Sequence, residues 1–211
     1  MMNYNYIVIE GTIGAGKTSL SRMMSEQFNA RLILEQFEEN SFLPKFYKDP
    51  EKYAFPLELS FLAERFQQLK QDVTRIDLFH QLTISDYFIQ KSLIFARNTL
   101  ASDEYTLFAK LFNIIITQLP PPELLVYLYV DVERLLSNIK HRGRSYEQEI
   151  PASYLEGIQS GYLEYLRQQQ GMRILLLDTN NVDFVSNQSD YERLLDIITH
   201  PWEVGVHRVK V

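Results

Sequence analysis

The stretch IVIEGTIGAGKTSLSRMM, residues 7–24, decides the fold. It passes from an apolar strand at residues 6–10 through three glycines to a lysine, and then into a helix that extends to about Phe28. Residues 11–18, called the phosphate loop below, fit the pattern G-x-x-x-x-G-K-[ST] in its strand-to-helix context. The glycines let backbone N–H groups curl around an anion, and the helix adds its positive N-terminal end. The stretch therefore predicts a nucleoside triphosphate site.

Two side chains of the phosphate loop have distinct predicted roles. Lys17 is expected to reach the β- and γ-phosphates and to act in catalysis, and the hydroxyl of Thr18 is expected to bind Mg²⁺. ATP and Mg²⁺ are therefore the predicted cofactors. The predicted ATP-binding residues of this segment are Gly11, Thr12, Ile13, Gly14, Ala15, Gly16, Lys17, Thr18 and Ser19.

Length and composition exclude several classes of protein. A chain of 211 residues with 45% hydrophobic and 23% charged residues suits one globular domain over residues 1–211. The formal net charge of -6 argues against a nucleic-acid polymer as partner, since phosphate binding calls for a basic surface. The absence of cysteine excludes disulfides and thiolate sites. No stretch reaches the roughly 18 apolar residues of a membrane span, so we expect a cytoplasmic protein without membrane contact.

Apolar strands alternate with helices along the remainder of the chain. This order predicts an α/β fold, with a five-stranded parallel sheet that has helices on both faces. The predicted strands cover residues 6–10, 31–34, 82–85, 124–130 and 173–177. The later helices are expected at about 55–69, 88–100, 104–118, 152–169 and 191–199, with one more after residue 131.

Several charged residues are candidates for binding the group that receives a phosphate. Glu35 ends the second predicted strand, at the edge where open α/β sheets bind ligands, and its carboxylate can take a proton from an acceptor hydroxyl. A solvated acid beside Glu38 and Glu39 is the simpler interpretation. Arg142 and Arg144 follow a predicted helix, where they can stabilise a transferring phosphoryl group or merely complement the helix dipole.

A further set of candidates shares one face of the helix predicted at 55–69. Glu58 and Arg65 are separated by about two turns, and Phe61 lies between them. This pattern fits a core stripe with polar edges. It also fits a base-reading stripe, in which a carboxylate accepts from a ring amine, an aromatic ring stacks and a guanidinium lies nearby.

Three classes of protein share such a loop: small-molecule kinases, GTPases and ATP-binding modules. A GTPase should carry Asn-Lys-x-Asp after a strand, and the nearest candidate, Asp-Thr-Asn-Asn at 178–181, does not match. The acceptor candidates favour a kinase.

Taken together, these segments resemble the deoxynucleoside kinase family over residues 7–184. IVIEGTIGAGKTSL is similar to the first strand and P-loop of the family, and LILEQF to the strand that ends in its general base, here Glu35. FYKDPEKYAFPLELSFLAERFQQ resembles its substrate helices, and HRGRSYEQEIPASYLE resembles its arginine-containing lid, at about 141–151. The resemblance implies a homodimeric P-loop kinase of nucleotide salvage, which transfers the γ-phosphoryl of ATP to the 5′-hydroxyl of a deoxynucleoside.

The resemblance also assigns roles to single residues. Tyr47 and Glu147 would contact the 3′-hydroxyl of the sugar, and Glu58 stands where the family usually has a base-reading glutamine. Arg65 would complete that network, and Phe61 belongs to the same substrate site. The lid arginines Arg142 and Arg144 would contact phosphates. LDTNNVDF is similar to the loop over the ATP adenine, with predicted contacts from Asp178, Asn180, Asp183 and Phe184.

The chain departs from the family at three positions. The Asp/Glu-Arg-Ser signature after the third strand is replaced by Ser-Asp-Tyr at 85–87, which leaves Asp86 as the carboxylate for Mg²⁺. Lys91 stands near the position of a base-contacting aspartate. Asn138 replaces the first arginine of the lid.

Glu58 and Lys91 bear on the choice of base. A carboxylate matches the N6 amine of adenine and an ammonium matches a ring acceptor. The Ser-Asp-Tyr pattern at 85–87 most resembles bacterial deoxyadenosine kinases, and this resemblance makes deoxyadenosine the favoured substrate. Guanine and cytosine can satisfy the same pair, which keeps deoxyguanosine, deoxycytidine and a broad range of deoxynucleosides as alternatives. A thymidylate-type nucleoside monophosphate kinase is a further alternative. It would need positive charge around the acceptor, whereas residues 35–39 are acidic.

Overall fold

The computed structural model describes residues 3–36, 40–73, 79–144 and 147–211. Glu38, Glu39 and residues 145–146 of the predicted lid lie outside these ranges. The prediction of a single domain over residues 1–211 stays a prediction, because two compact units can still belong to one domain. The chain divides into a first unit of Met1–Leu34, Asp77–Phe88 and Pro122–Val211, and a second unit of Glu35–Ile76 and Ile89–Pro121.

The first unit contains a parallel sheet of six strands in the order β2-β3-β1-β4-β5-β6. Every pair of neighbouring strands is parallel, and β1 and β4 at the centre are aligned from Ile7 opposite Leu124 to Gly11 opposite Leu128. The α/β class and the parallel sheet are as predicted. The strands are β1 (Tyr6–Gly11), β2 (Arg31–Ile33), β3 (Thr83–Ser85), β4 (Leu124–Tyr129), β5 (Arg173–Asp178) and β6 (Gly205–Lys210).

The central strands form the core of the first unit. All six residues of β1 are buried, and β4 is buried except for its last residue. Strands with both faces covered lack the apolar–polar alternation of a half-exposed sheet, which is why the sequence shows continuous apolar runs at these places. The loop that follows β1 therefore starts from a fully buried strand.

The prediction of five strands was wrong, because β6 adds a sixth at the edge next to β5. Its sequence GVHRVK alternates exposed with partly exposed residues. An edge strand buries little surface, so it needs no apolar run and carries charged residues on its outer side. The segment therefore lacks the pattern by which the other strands were found.

The helices of the first unit cover both faces of the sheet. The helix after the phosphate loop begins at Lys17, immediately after Gly16, whose backbone is in the left-handed region at φ 91°. Gly143, with φ 76°, ends the helix that precedes the predicted lid. These helices are α1 (Lys17–Phe28), α6 (Val132–Arg142), α7 (Ala152–Arg167) and α8 (Gln188–Thr199).

The second unit is helical. Its helices are α2 (Leu43–Lys48), α3 (Pro50–Asp72), α4 (Lys91–Thr99) and α5 (Ser102–Ile116). The side chain of Asp49 accepts a hydrogen bond from the backbone N–H of Lys52, which caps the start of α3. A core cluster of Phe46, Ala54, Leu57 and Phe61 joins α2 to α3. Helices α3, α4 and α5 lie where helices were predicted and differ by a few residues at their ends, where patterns are least decisive, whereas the apolar pattern predicted no helix at α2.

Among the described residues, no helix is both long enough and apolar enough to span a membrane.

Candidate active site

The phosphate loop joins β1 to α1 within the first unit. Gly14 and Gly16 have φ angles of 86° and 91°, which side chains rarely adopt. A Cβ atom on Gly16 would lie 2.9 Å from the ring of Phe184, and one on Gly14 would lie 2.8 Å from the carbonyl oxygen of Leu135. Neither position can carry a side chain without displacing its neighbours, so the loop is closely enclosed by the rest of the first unit.

Lys17 places positive charge on this loop. Its Nζ donates to the carbonyl oxygens of Gly11, at 2.8 Å, and Thr12, at 3.1 Å. These contacts keep the ammonium at the N-terminal end of α1, where no acidic residue stands in the first turn. The positive helix end and the lysine act together on any anion bound at the loop.

The two predicted magnesium ligands meet in the structure. Thr18 Oγ1 donates to Asp86 Oδ2 at 2.6 Å, and Asp86, just after β3, is only 4% exposed. The described residues contain no group of three or more His, Cys, Asp or Glu side chains that could hold a metal ion. One hydroxyl and one carboxylate suit Mg²⁺, which takes few protein ligands and completes its shell with phosphate oxygens and water.

An open cavity of about 590 Å³ lies at the phosphate loop, which is the usual size for a site that binds a small molecule. Its walls come from residues 14–19, from α6 and the residues after it, and from the loop that follows β5. The side chains that contribute charge or an aromatic ring are Lys17, Arg134, His141, Arg142, Arg144, Asp183 and Phe184.

The two lid arginines converge on one carboxylate. Arg142 Nη2 forms an ion pair with Glu147 Oε2, and Arg144 Nη1 lies 3.4 Å from Glu147 Oε1. The side chain of Glu147 is 7% exposed, whereas those of Arg142 and Arg144 are 37% and 28% exposed. Glu147, predicted to contact a sugar hydroxyl, thus also holds both guanidiniums. Its expected companion Tyr47 packs against the core cluster of the second unit.

The loop after β5 is shaped by its own polar side chains. Asp178 Oδ1 accepts from the backbone and side-chain nitrogens of Asn180, at 3.1 and 2.9 Å. Asp183 Oδ1 accepts from the backbone of Ser186 at 3.1 Å. Of the four residues predicted to contact adenine, Asp183 and Phe184 line the cavity, whereas Asp178 and Asn180 are absent from its lining and brace the loop.

Sequence reasoning missed Arg134, which fastens this loop to α6. Its guanidinium donates to three backbone carbonyls, those of Thr179 at 2.9 Å, Val182 at 2.7 Å and Asn180. One turn further along α6, Asn138 donates to the carbonyl oxygen of Gly14 at 2.9 Å. Arg134, Asn138 and Arg142 follow one another at intervals of four residues, which puts all three on one side of α6. This spacing was the signal in the sequence by which Arg134 could have been found.

The second unit carries a buried charge cluster, formed by Glu35, Glu58, Arg65 and Lys91. Arg65 donates to Glu35 Oε1 from Nε at 2.8 Å, and its Nη2 lies 2.7 Å from the same oxygen. Lys91 Nζ lies 2.6 Å from Glu35 Oε2. The side chains of Glu35, Arg65 and Lys91 are 11%, 5% and 8% exposed. Burial by itself raises the pKa of Glu35, but Lys91 and then Arg65 outweigh it and lower that pKa to about 2.

Glu58 has the opposite electrostatic environment in the same cluster. It is 3% exposed and accepts a hydrogen bond from Thr99 Oγ1 at 2.9 Å. Burial raises the pKa of Glu58 to about 7, against the opposing effects of Arg65, the Thr99 hydrogen bond and Lys91. Two carboxylates of one cluster therefore differ in charge near neutral pH: Glu35 is ionised, and Glu58 is close to half protonated.

Arg65 holds a fixed place in this cluster. Its Nη1 donates to Ser92 Oγ at 2.8 Å, and its guanidinium carbon lies 4.7 Å from the centre of the Phe61 ring. Of the predicted acceptor residues, Glu35, Glu58, Phe61, Arg65 and Lys91 are thus brought together in the second unit. The contact of Lys91 with a base stays a prediction, since the partner observed for its ammonium is Glu35.

A parallel sheet, a glycine loop at a helix N-terminus and an adjoining cavity lined by cations define an α/β protein of the nucleotide-binding class. The family model described as deoxynucleoside kinase matches residues 7–201. The chain belongs to the deoxynucleoside kinase family, and it is therefore a phosphotransferase.

Individual relatives agree with this family and differ in the base that their names give. The chain is 37% identical over 193 residues to a deoxyguanosine kinase of Bacillus subtilis, with 90% of this chain and 93% of that protein covered. It is 29% identical over 196 residues to a deoxyadenosine/deoxycytidine kinase of the same organism, with 91% and 90% covered. A deoxyadenosine kinase from M. mycoides, solved with the products dCMP and dCDP, has a TM-score of 0.80 at 26% identity, with 92% and 98% covered. The family resemblance drawn from the sequence is confirmed.

Proposed function

We propose that this kinase transfers the γ-phosphoryl of ATP to the 5′-hydroxyl of a purine deoxynucleoside. The observation that carries the proposal is the phosphate loop, which leads from the buried strand β1 into a cavity lined by Lys17, Thr18 and the two lid arginines. Glycine backbone, a helix N-terminus and cations at one place suit a polyphosphate.

The residues of the cavity fit ATP and Mg²⁺. Gly14 and Gly16 have left-handed φ angles of 86° and 91°, a conformation that turns successive backbone N–H groups toward an anion and so suits a phosphate chain. In this proposal Lys17 binds the β- and γ-phosphates, Arg142 and Arg144 stabilise the transferring group, and Thr18 with Asp86 holds the metal ion. Bound Mg²⁺ neutralises charge on the phosphates.

On the acceptor side we assign the hydroxyl proton to Glu35. Its carboxylate is ionised at every physiological pH, because Lys91 and Arg65 hold its pKa at about 2. An ionised and fixed carboxylate can orient a hydroxyl and take its proton as the bond to phosphorus forms. Tyr47 and Glu147 are assigned to the sugar, and Glu58, Phe61 and Arg65 to the base.

The base is the finer part of the proposal. The resemblance of the Ser-Asp-Tyr pattern at 85–87 to bacterial deoxyadenosine kinases favours deoxyadenosine, and a carboxylate with an ammonium can match the edge of adenine. A relative at 37% identity is named a deoxyguanosine kinase, and this observation favours deoxyguanosine as the second candidate. Glu58 serves both, since a neutral carboxyl presents one donor and one acceptor, whereas an ionised one only accepts.

A phosphorylation screen tests the proposed function. The purified chain is incubated with ATP and Mg²⁺ together with each deoxynucleoside, each ribonucleoside and each deoxynucleoside monophosphate, and products are separated by chromatography. We expect 5′-monophosphates of deoxyadenosine and deoxyguanosine in the greatest yield. Product only from monophosphates would favour the thymidylate-type alternative, and no product with any acceptor would contradict the proposal.

We also propose a cytoplasmic homodimer. Helix α5 exposes large apolar side chains, Leu107 at 52% and Ile114 at 68%, which a second copy of the chain would cover. Light scattering of the purified protein measures the mass in solution. A mass near 24.9 kDa, that of one chain, would contradict the dimer.

A further inference from the structure

Lys91 is placed where local rules of structure disfavour it. It is the first residue of α4 and only 7% exposed. A cation in the first turn of a helix opposes the helix dipole, and burial of an ammonium carries a desolvation penalty. The contact that offsets both effects is the ion pair between its Nζ and Glu35 Oε2 at 2.6 Å.

The two cations on Glu35 divide its oxygens between them. Arg65 reaches Oε1 with two nitrogens, Nε and Nη2, and these two donors occupy the lone pairs of that oxygen. Lys91 reaches Oε2 with one nitrogen. A hydroxyl taken up on Oε2 would therefore lie directly beside the Lys91 ammonium.

Arg65 and Lys91 also differ in what else they contact. Arg65 is bound to Ser92 and stacked on Phe61, so it belongs to the frame that joins α3 to α4. Lys91 Nζ lies 5.3 Å from the centre of the Phe95 ring on its own helix, a contact that keeps the ammonium over that ring. Arg65 thus divides its contacts among Glu35, Ser92 and Phe61, whereas the hydrogen bond described for Lys91 goes to Glu35.

We propose that Lys91 is the positioning residue of the acceptor base, which orients Glu35 Oε2 toward the sugar hydroxyl and keeps it ionised. This inference rests on the proposed function. In the step, the hydroxyl proton passes to Oε2 while the hydroxyl oxygen bonds to the γ-phosphorus. The bond between that phosphorus and the β,γ-bridging oxygen breaks, and ADP leaves with its electron pair. Lys91 transfers no proton and acts only through Glu35.

The test is the pH dependence of kcat/KM in Lys91→Met and Lys91→Gln. Loss of the ammonium should raise the pKa of Glu35, so the acid limb of the profile should move to higher pH by roughly one unit or more. We expect kcat to fall about 10- to 100-fold near pH 7, since the carboxylate also loses its orientation. Lys91→Arg keeps the charge and should restore the limb and most of the rate. Lys70→Met, which removes an exposed lysine of α3 that contacts Gln118, serves as control and should leave the profile unchanged.

A double variant separates a positioning role from a direct contact with substrate. If Lys91 acts through Glu35, Lys91→Met should lower kcat little further in a Glu35→Gln background. Wild-type kcat and an unmoved acid limb in both neutral variants would overturn the inference. So would a change confined to the KM of one base, which would return Lys91 to base recognition. An inactive wild-type chain would instead reject the proposed function, so the two failures are distinguishable.

Discussion

The phosphate loop of the first unit and the buried charge cluster of the second are built in different ways. The loop consists of consecutive residues, and in the proposed function its backbone N–H groups and glycine conformations would do most of the binding. The cluster consists of side chains from three separate segments, at Glu35, on α3 and on α4. A site of the first kind is encoded locally, whereas one of the second kind depends on the packing of the whole unit.

The two sites should also respond differently to mutation. A change in the loop should weaken ATP binding and leave the second unit intact. A change in the cluster leaves a buried charge without its partner, so it should affect both the chemistry and the folding of the second unit.

Lys17→Ala should have the largest effect and would test the loop directly. We expect kcat/KM for ATP to fall by roughly 10³-fold or more, because a cation is removed from the place where charge develops. Binding of the deoxynucleoside, measured by calorimetry, should stay near its wild-type value. Lys140→Ala, an exposed lysine of α6 outside the cavity lining, is the matched control. Near-normal turnover in the first variant would remove the loop from the mechanism.

Glu35→Gln should lower kcat by roughly 10²- to 10³-fold and leave the dissociation constant of ATP almost unchanged. The amide cannot take the hydroxyl proton, and it leaves Arg65 and Lys91 without their counter-charge. The melting temperature should therefore fall as well, which sharpens the contrast with Lys17→Ala.

The control for Glu35→Gln is Glu51→Gln, which removes an exposed carboxylate from the first turn of α3. It should leave kcat unchanged. A Glu35→Gln enzyme with wild-type kcat would show that another group takes the proton.

Arg134→Met should raise the KM for ATP about tenfold, with kcat and the KM for the deoxynucleoside little changed. The guanidinium holds three carbonyls of the loop after β5, and its loss should loosen the wall of the cavity. Arg134→Lys should recover only part of the effect, because an ammonium lacks the planar fork. Equal changes in the KM values of both substrates would contradict this assignment.

The smallest expected effect is a change of base preference with pH, which tests Glu58. With its pKa raised to about 7, Glu58 is mainly protonated below pH 7 and mainly ionised above it. The neutral carboxyl matches the N6 amine and N1 of adenine, whereas the ionised form matches the N1–H and N2 amine of guanine. The charged groups that act on it are Arg65, Lys91 and Glu35.

The ratio of kcat/KM for deoxyadenosine to that for deoxyguanosine should therefore fall severalfold between pH 6 and pH 8. Glu58→Gln has a fixed donor and acceptor, so its ratio should be flat over this range. A flat ratio in the wild-type enzyme would exclude Glu58 as the reader of the base.

The locally encoded loop could be predicted from the sequence, whereas the contacts within the charge cluster could not. The phosphate loop was found because its pattern is contiguous and lies between a buried strand and a helix. Glu35 was placed by the end of its strand, although nothing in the sequence shows that Arg65 and Lys91 meet it. Lys91 was accordingly assigned to the base, whereas its ammonium contacts Glu35. Arg134 was not predicted, because its partners are backbone carbonyls nearly fifty residues away in the chain.

The fold shows a similar limit at the edge of the sheet. Strands β1, β4 and β5 were predicted because double-sided burial requires continuous apolar residues. β6 was missed because an edge strand gains its stability from pairing with β5 and needs little apolar surface.

The sequence by itself determined the class of fold, the phosphate loop and the family, since each depends on residues that are close together in the chain. The tertiary structure alone decided which charges share a buried environment, and hence that one carboxylate is held ionised by two cations while its neighbour is about half protonated near pH 7. Desolvation and Coulomb interactions depend on distances through space, and the order of residues along a chain does not specify those distances.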